Sequence, residues 1–211
     1  MIKRAVAIGG LVILAGCNRP ELADYFPLVP GAQRIMRVHT MMVAGTDTSE
    51  TTRVRLVQVV RGEKELPGIG KVWVVEAPRD SGQPAYTYFL KHDDGVIQVL
   101  PMQDRKPVEL LYLALPLSKG LKWYDTKDQR EMMEVVAKET VAVAAGKFPD
   151  CFQVLVTSTK ADWSMRQWLA PDIGPVKSEN RAAWTGKDGV KRSLVRTTEL
   201  VSYLVPKKAG N

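Results

Sequence analysis

The feature that most restricts the fold is a recurring alternation of short β-branched or aromatic runs with turn residues. Its clearest instance is Tyr86-Thr87-Tyr88-Phe89-Leu90, then His92-Asp93-Asp94-Gly95, then Val96-Ile97-Gln98-Val99-Leu100. Asp-Gly between two such runs predicts a hairpin with a primed turn, which needs positive φ. Lys187-Asp188-Gly189 predicts another, between Ala182-Ala183-Trp184 and the run Val190 to Val205. Thr52, Val54 and Leu56 alternate with Arg53 and Arg55, the pattern of a half-buried strand, and Val72-Trp73-Val74-Val75 reads as a short strand. Pro107 to Leu115 is apolar and of helical length, and both helix and strand stay open for it. Asp128 to Ala145 holds helix formers, yet Met133, Val135 and Ala137 alternate with Glu134 and Lys138, which favours strand.

Three patterns occur twice in the same order. Pro27-Leu28 with Gly31 matches Pro116-Leu117 with Gly120. Val59-Val60 with Glu63 and Gly70-Lys71 matches Val135-Val136 with Glu139 and Gly146-Lys147, at one offset of 76 residues. Phe89-Leu90 with Asp93 and Gly95 matches Trp168-Leu169 with Asp172 and Gly174. The expected fold is therefore mostly β with little helix: a long curved antiparallel sheet, half-barrel or sandwich-like, built from two tandem meander repeats. The halves are residues 26–114 and 115–205, each a meander of about four strands, within one domain of residues 26–205 followed by a tail of residues 206–211. A four-strand meander cannot bury its apolar face alone, and a long sheet must twist and curl. Something must then fill its concave face, and Pro107–Leu115 is the expected plug.

The amino end has a different character. Lys3 and Arg4 precede an uncharged apolar run, Ala5 to Ala15, which is shorter than the roughly 20 residues a membrane span needs. The run ends in Leu14-Ala15-Gly16-Cys17. This resembles the lipobox of bacterial lipoproteins, in which the signal is cut before the cysteine and the thiol receives a diacylglycerol. The resemblance implies a signal peptide of residues 1–16, lipid attachment at Cys17, and a lipidated end and tether of residues 17–25. Two or three acyl chains hold a protein firmly where one holds it marginally. Asn18 follows the cysteine, so the inner-membrane retention signal of Gram-negative lipoproteins, an Asp there, is missing. The expected address is the cell envelope, at the outer membrane facing the periplasm.

Composition limits the chemistry. Removing residues 1–16 of the 211 leaves 195, which suits one domain, and 28 basic against 23 acidic residues give a net +5. No long basic run or nucleic-acid motif appears, so no nucleic-acid partner is expected. With Cys17 lipidated, Cys151 has no disulfide partner and reads as a buried structural thiol. His39 and His92 are the only histidines, with no metal-ligand spacing, so no metal and no cofactor is expected. Nucleophile-elbow, Rossmann and phosphate-loop patterns are absent. Asp93-Asp94 and His92 read as turn residues and His39 as a strand residue. Trp163-Ser164-Met165-Arg166-Gln167-Trp168 reads as core or sheet edge.

Taken together, Tyr25-Phe26-Pro27-Leu28 with Gly31, Leu115-Pro116-Leu117 with Gly120 and Trp123, Glu139-Thr140-Val141 through Gly146-Lys147-Phe148-Pro149-Asp150-Cys151, and Trp168-Leu169-Ala170-Pro171 with Gly174, Val176 and Lys177 resemble a loose group of uncharacterised bacterial envelope proteins. The group is β-rich and broadly similar to curved-sheet folds such as the periplasmic lipoprotein carrier. Arg34 and Met36 stand where that group usually has Trp and Tyr. The group implies no catalytic residues, and none is assigned.

The expected function is that of a non-enzymatic, membrane-anchored binding or scaffold module. It would bind an apolar or acyl ligand, or an extended segment of an envelope partner, along a concave face carrying Trp73, Phe89, Trp123, Met133, Phe152 and Trp168. A face filled by the chain's own side chains would remove the carrier reading and leave a scaffold. The competing expectation is an envelope hydrolase with an unrecognised site, which would need polar groups converging in one pocket.

Overall fold

The computed structural model describes residues 23–77, 83–102 and 106–206 and, for residues 53–56, the backbone. The expected signal peptide, the lipid site at Cys17, the first part of the tether and most of the tail lie outside these residues. Twelve strands follow in chain order: β1 (Gln33–Ala44), β2 (Asp47–Leu66), β3 (Gly70–Ala77), β4 (Ala85–His92), β5 (Gly95–Leu100), β6 (Val108–Ala114), β7 (Lys122–Tyr124), β8 (Glu131–Val143), β9 (Gly146–Ser158), β10 (Trp163–Ala170), β11 (Gly174–Thr185) and β12 (Lys191–Leu204). All belong to one antiparallel sheet, in the order β6-β5-β4-β3-β2-β1-β12-β11-β10-β9-β8-β7. No helix occurs among the described residues.

Each half of the chain is a meander of six strands rather than about four, and the halves join through β1 and β12. The two edges, β6 and β7, are thus adjacent in sequence. Twist brings them together in space, and the sheet nearly closes into a barrel. The Leu111 amide on β6 donates to the Asp125 carbonyl just after β7 at 2.8 Å. Inside, the Tyr112 hydroxyl of β6 is hydrogen-bonded to the Gln167 amide of β10.

The halves repeat local detail. Gly31 donates to the Val60 carbonyl while Val60 donates to Ala32; Gly120 donates to the Val135 carbonyl while Val135 donates to Leu121. Both strands bulge at the next residue, between Val60 and Gly62 and between Val135 and Ala137. Val60 is therefore equivalent to Val135, one residue away from the 76-residue offset of the sequence pattern.

Two expectations need correction. Pro107–Leu115 is no plug: Val108–Ala114 is β6, paired to β5 along the sheet edge. The filler is instead the segment before β1. Phe26, Leu28 and Ala32 are buried in the inner core with Val60, Val75, Phe89, Val96, Leu113 and, from the other half, Trp123, Met133, Val135, Phe152, Val154, Val156 and Leu169. Asp24 and Tyr25, assigned to the tether, are part of this plug. The β4–β5 turn also differs in cause. None of Asp93, Asp94 and Gly95 has positive φ. A Cβ on Gly95 would sit 2.8 Å from the Leu113 carbonyl, so close approach of β6 requires the glycine. At the Lys187-Asp188-Gly189 turn the expected hairpin forms with Gly189 at φ 75°, while Lys187 and Asp188 at its centre keep negative φ, so the turn is not a primed one.

A smaller cluster forms where the β8–β9 hairpin reaches β12. Ala145 donates to the Leu200 carbonyl at 3.0 Å. Val141, Phe148 and Cys151 are buried there with Met36, Ala170, Val176 and Leu200. The Cys151 thiol is fully buried, donates to the Phe148 carbonyl, and is pushed above its usual range by burial.

Candidate binding site

One end of the barrel is closed by the plug, and polar contacts fix it there. The Asp24 amide donates to Asp172 Oδ1 at 3.0 Å, and the Asp172 amide returns a bond to the Asp24 carbonyl at 2.7 Å. Asp24 also accepts from the Phe26 amide and from Lys91 Nζ on β4, the latter at 2.6 Å, and Lys91 donates to the Phe26 carbonyl as well. Arg34 is 7% exposed, with Nε donating to the Ile173 carbonyl at 2.9 Å and Nη2 to the Pro27 carbonyl at 3.3 Å. Burial lowers its pKa from the usual arginine value. The guanidinium thus ties the plug to the β10–β11 turn with donors that a hydrophobe would lack. Phe26 meets Phe89 edge-on, with centroids 5.0 Å apart, and Tyr112 at 5.2 Å.

Of the six residues expected to carry a ligand, five belong to the inner core. Phe89, Trp123, Met133 and Phe152 are buried in it, and Trp73 packs against it half-buried. The Trp123 indole N–H is buried without a hydrogen-bond partner. Trp168 lies apart, against the smaller cluster. Its indole N–H donates to Glu139 at 2.6 Å, and Lys177 Nζ lies 5.5 Å from its ring centroid. The concave face is thus largely filled by the chain's own side chains.

Among the described residues, a cavity of about 180 Å³ lies beside this core, and Met133 is the one expected residue that lines it. Its walls are Leu110, Leu111 and Leu113 of β6, Met133 of β8, Val154 and Val156 of β9 and Met165 of β10. Its polar groups are Gln98, Tyr112, Asp125, Glu131 and Gln167. Burial raises the Tyr112 hydroxyl above its usual pKa. It raises the Glu131 carboxyl too, and the charge of Asp125 adds to that. Asp125 Oδ1 accepts from the Glu131 backbone amide at 3.0 Å, which holds the Asp125 side chain against the start of β8. The sequence offered little signal for this site, because its residues come from five strands and one loop.

The two histidines and the Asp93-Asp94 pair lie away from this cavity. His39 Nδ1 lies 2.9 Å from Thr52 Oγ1 across β1 and β2, and His92, Asp93 and Asp94 are exposed in a turn. A shallow outer depression of about 460 Å³ along β2, β3 and β4 is crossed by the two-bond ion pair of Arg61 and Glu76. Among the described residues, no three His, Cys, Asp or Glu side chains converge as metal ligands would.

No protein-family model matches the chain. No curated protein matches it either. Two crystal structures share its course over 87% of this chain and 100% of theirs. One, from Bacteroides fragilis NCTC 9343, is named as an exported protein with a YmcC-like fold, at 21% identity and a TM-score of 0.46. The other, from Parabacteroides distasonis ATCC 8503, is named as a lipoprotein, at 17% identity and a TM-score of 0.48. At this distance the likeness concerns the fold alone.

Proposed function

We propose that this chain is a lipid-anchored protein of the bacterial cell envelope, held by Cys17, and that it works as a non-enzymatic binding or scaffold module on the periplasmic face of the outer membrane. The lipobox supplies the anchor. The observation that carries the orientation is the position of Asp24, seven residues after Cys17 and already bound to Asp172 at the plugged end. The seven residue steps from Cys17 to Asp24 extend at most about 25 Å. The plugged end therefore sits close to the lipid. The cavity meets β10 at Met165 and Gln167, seven and five residues before Asp172, about 20 Å of strand rise away. Such a module would present its unplugged end to a partner or a short apolar group, away from the bilayer.

The cavity sets the scale of any ligand. Its volume is about 180 Å³. A long acyl chain needs more, and drug-sized sites start near 300 Å³. A full-length acyl carrier is thus a poorer reading than a scaffold with a small pocket. Radiolabelled palmitate should enter the wild-type protein and not Cys17→Ser, and outer-membrane fractions should hold the former. A Cys17→Ser protein that stays in the membrane, or a wild type without label, would overturn the anchor.

A further inference from the structure

Among the described residues, the charged groups that line the cavity are both acidic. Glu131 and Asp125 both line it, and no described Lys or Arg forms an ion pair with either. Nor does the Glu131 side chain accept a hydrogen bond from a described residue. Asp125 spends one oxygen on the Glu131 amide and the Thr126 hydroxyl. Both carboxyls are half-buried beside apolar walls, and burial together with the charge of Asp125 shifts Glu131 toward its neutral form.

The geometry also orders the two parts of the site. Glu131 opens β8 and Met133 follows one step deeper on the same face. Across the closing seam, Gln98 pairs with Leu110, and the next pair on that face, Leu100 with Val108, is exposed, as is Met102 beyond it. Apolar surface thus runs from the rim inward, with the carboxylates at the rim. A fatty acid would place its own carboxylate against them. An amine head with a short apolar tail fits in both respects: the cation pairs with Glu131 and Asp125, and the tail enters between Leu110, Met133 and Met165.

We infer that this cavity binds a short alkyl group bearing a primary ammonium, with the ammonium at Glu131 and Asp125. The inference rests on the binding-module reading above and names the chemistry of its ligand. Two sources offer that chemistry: a free amphiphilic amine, and the amino-terminal residue of a polypeptide with an apolar side chain.

The test uses the lipid-free mature chain, residues 17–211, and isothermal titration with n-hexylamine, n-hexanol and hexanoate at neutral pH. Hexylamine should bind at least tenfold more tightly than hexanol, with hexanoate weakest. Glu131→Gln should reduce hexylamine affinity about tenfold and leave hexanol unchanged, while Met165→Trp, which fills the cavity, should abolish both. Hexanol binding as tightly as hexylamine would overturn the charge inference and leave the binding-module reading standing. No binding of either would remove the pocket from both. Leucine amide binding where N-acetyl-leucine amide does not would assign the site to a peptide amino terminus; binding of hexylamine alone would assign it to a free amine.

Discussion

Replacing Phe26 by Ala asks whether the plug holds the barrel together. The ring is 5% exposed and lies against Phe89 and Tyr112. An aromatic side chain of this kind buries about 200 Å², which at 25 cal/mol/Å² is about 5 kcal/mol, of which alanine keeps about 1. The expected loss is therefore about 4 kcal/mol, within the range measured for Phe→Ala in cores. For a domain of this size that lowers the melting temperature by roughly 8–16 °C. Urea unfolding followed by tryptophan fluorescence gives the free energy, and a thermal scan by circular dichroism gives the midpoint. Tyr86→Ala, half-exposed on the outside, is the control and should change stability by less than about 0.5 kcal/mol. If Phe26→Ala costs less than about 1 kcal/mol, the segment before β1 is an accessory, and the account of how the concave face is filled is wrong.

Arg34→Ala should cost about 3 kcal/mol, because it leaves the Ile173 and Pro27 carbonyls without donors in a buried site. Arg34→Lys should recover only part of this in the same unfolding assay, since an ammonium cannot reproduce the planar fork. Glu131→Gln should behave differently with pH. Folding raises the Glu131 pKa above its ordinary value of 4.5, so the folded form keeps a proton that the unfolded chain has already released. Stability from this group is full below about pH 4.5 and falls as pH rises through the folded pKa. The variant should thus melt higher than wild type at pH 7 and show no gain at pH 4, and an equal gain at both would refute the assignment. Breaking Lys91–Asp24 with Lys91→Met should free the plug's first residues, read as faster amide exchange at Asp24 and Phe26 with β8 and β9 unchanged.

The sheet was largely legible in the sequence, because strand period and turn chemistry act locally. Tyr86–Leu100 reads as a hairpin from its residues alone, and Met133 alternating with Glu134 and Val135 reads as β8 despite good helix formers. The repeat was legible for the same reason: Pro, Gly and Asp recur where two equivalent meanders turn. The plug was not. Tyr25-Phe26-Pro27-Leu28 has no period, and its role comes from contacts with strands more than sixty residues away, Lys91 and Asp172 among them. Pro107–Leu115 misled because its seven-residue strand covers apolar residues on both faces near the closing seam, so it lacks the alternation of an ordinary strand. The candidate site was legible only as greasy residues. The six chosen aromatic and sulfur side chains mostly pack the core, whereas the cavity depends on Glu131, Asp125, Gln98 and Gln167, brought together by barrel closure.

Native mass spectrometry of the full lipidated protein, released gently from detergent, tests the central claim most directly. The account predicts one species whose added mass is covalent lipid on Cys17, with no long acyl chain lost on organic extraction, because side chains of the plug and core fill most of the concave face and the cavity beside them holds about 180 Å³. A non-covalent long-chain lipid that leaves on extraction would contradict the filled barrel, and a protein without covalent lipid would contradict the anchor.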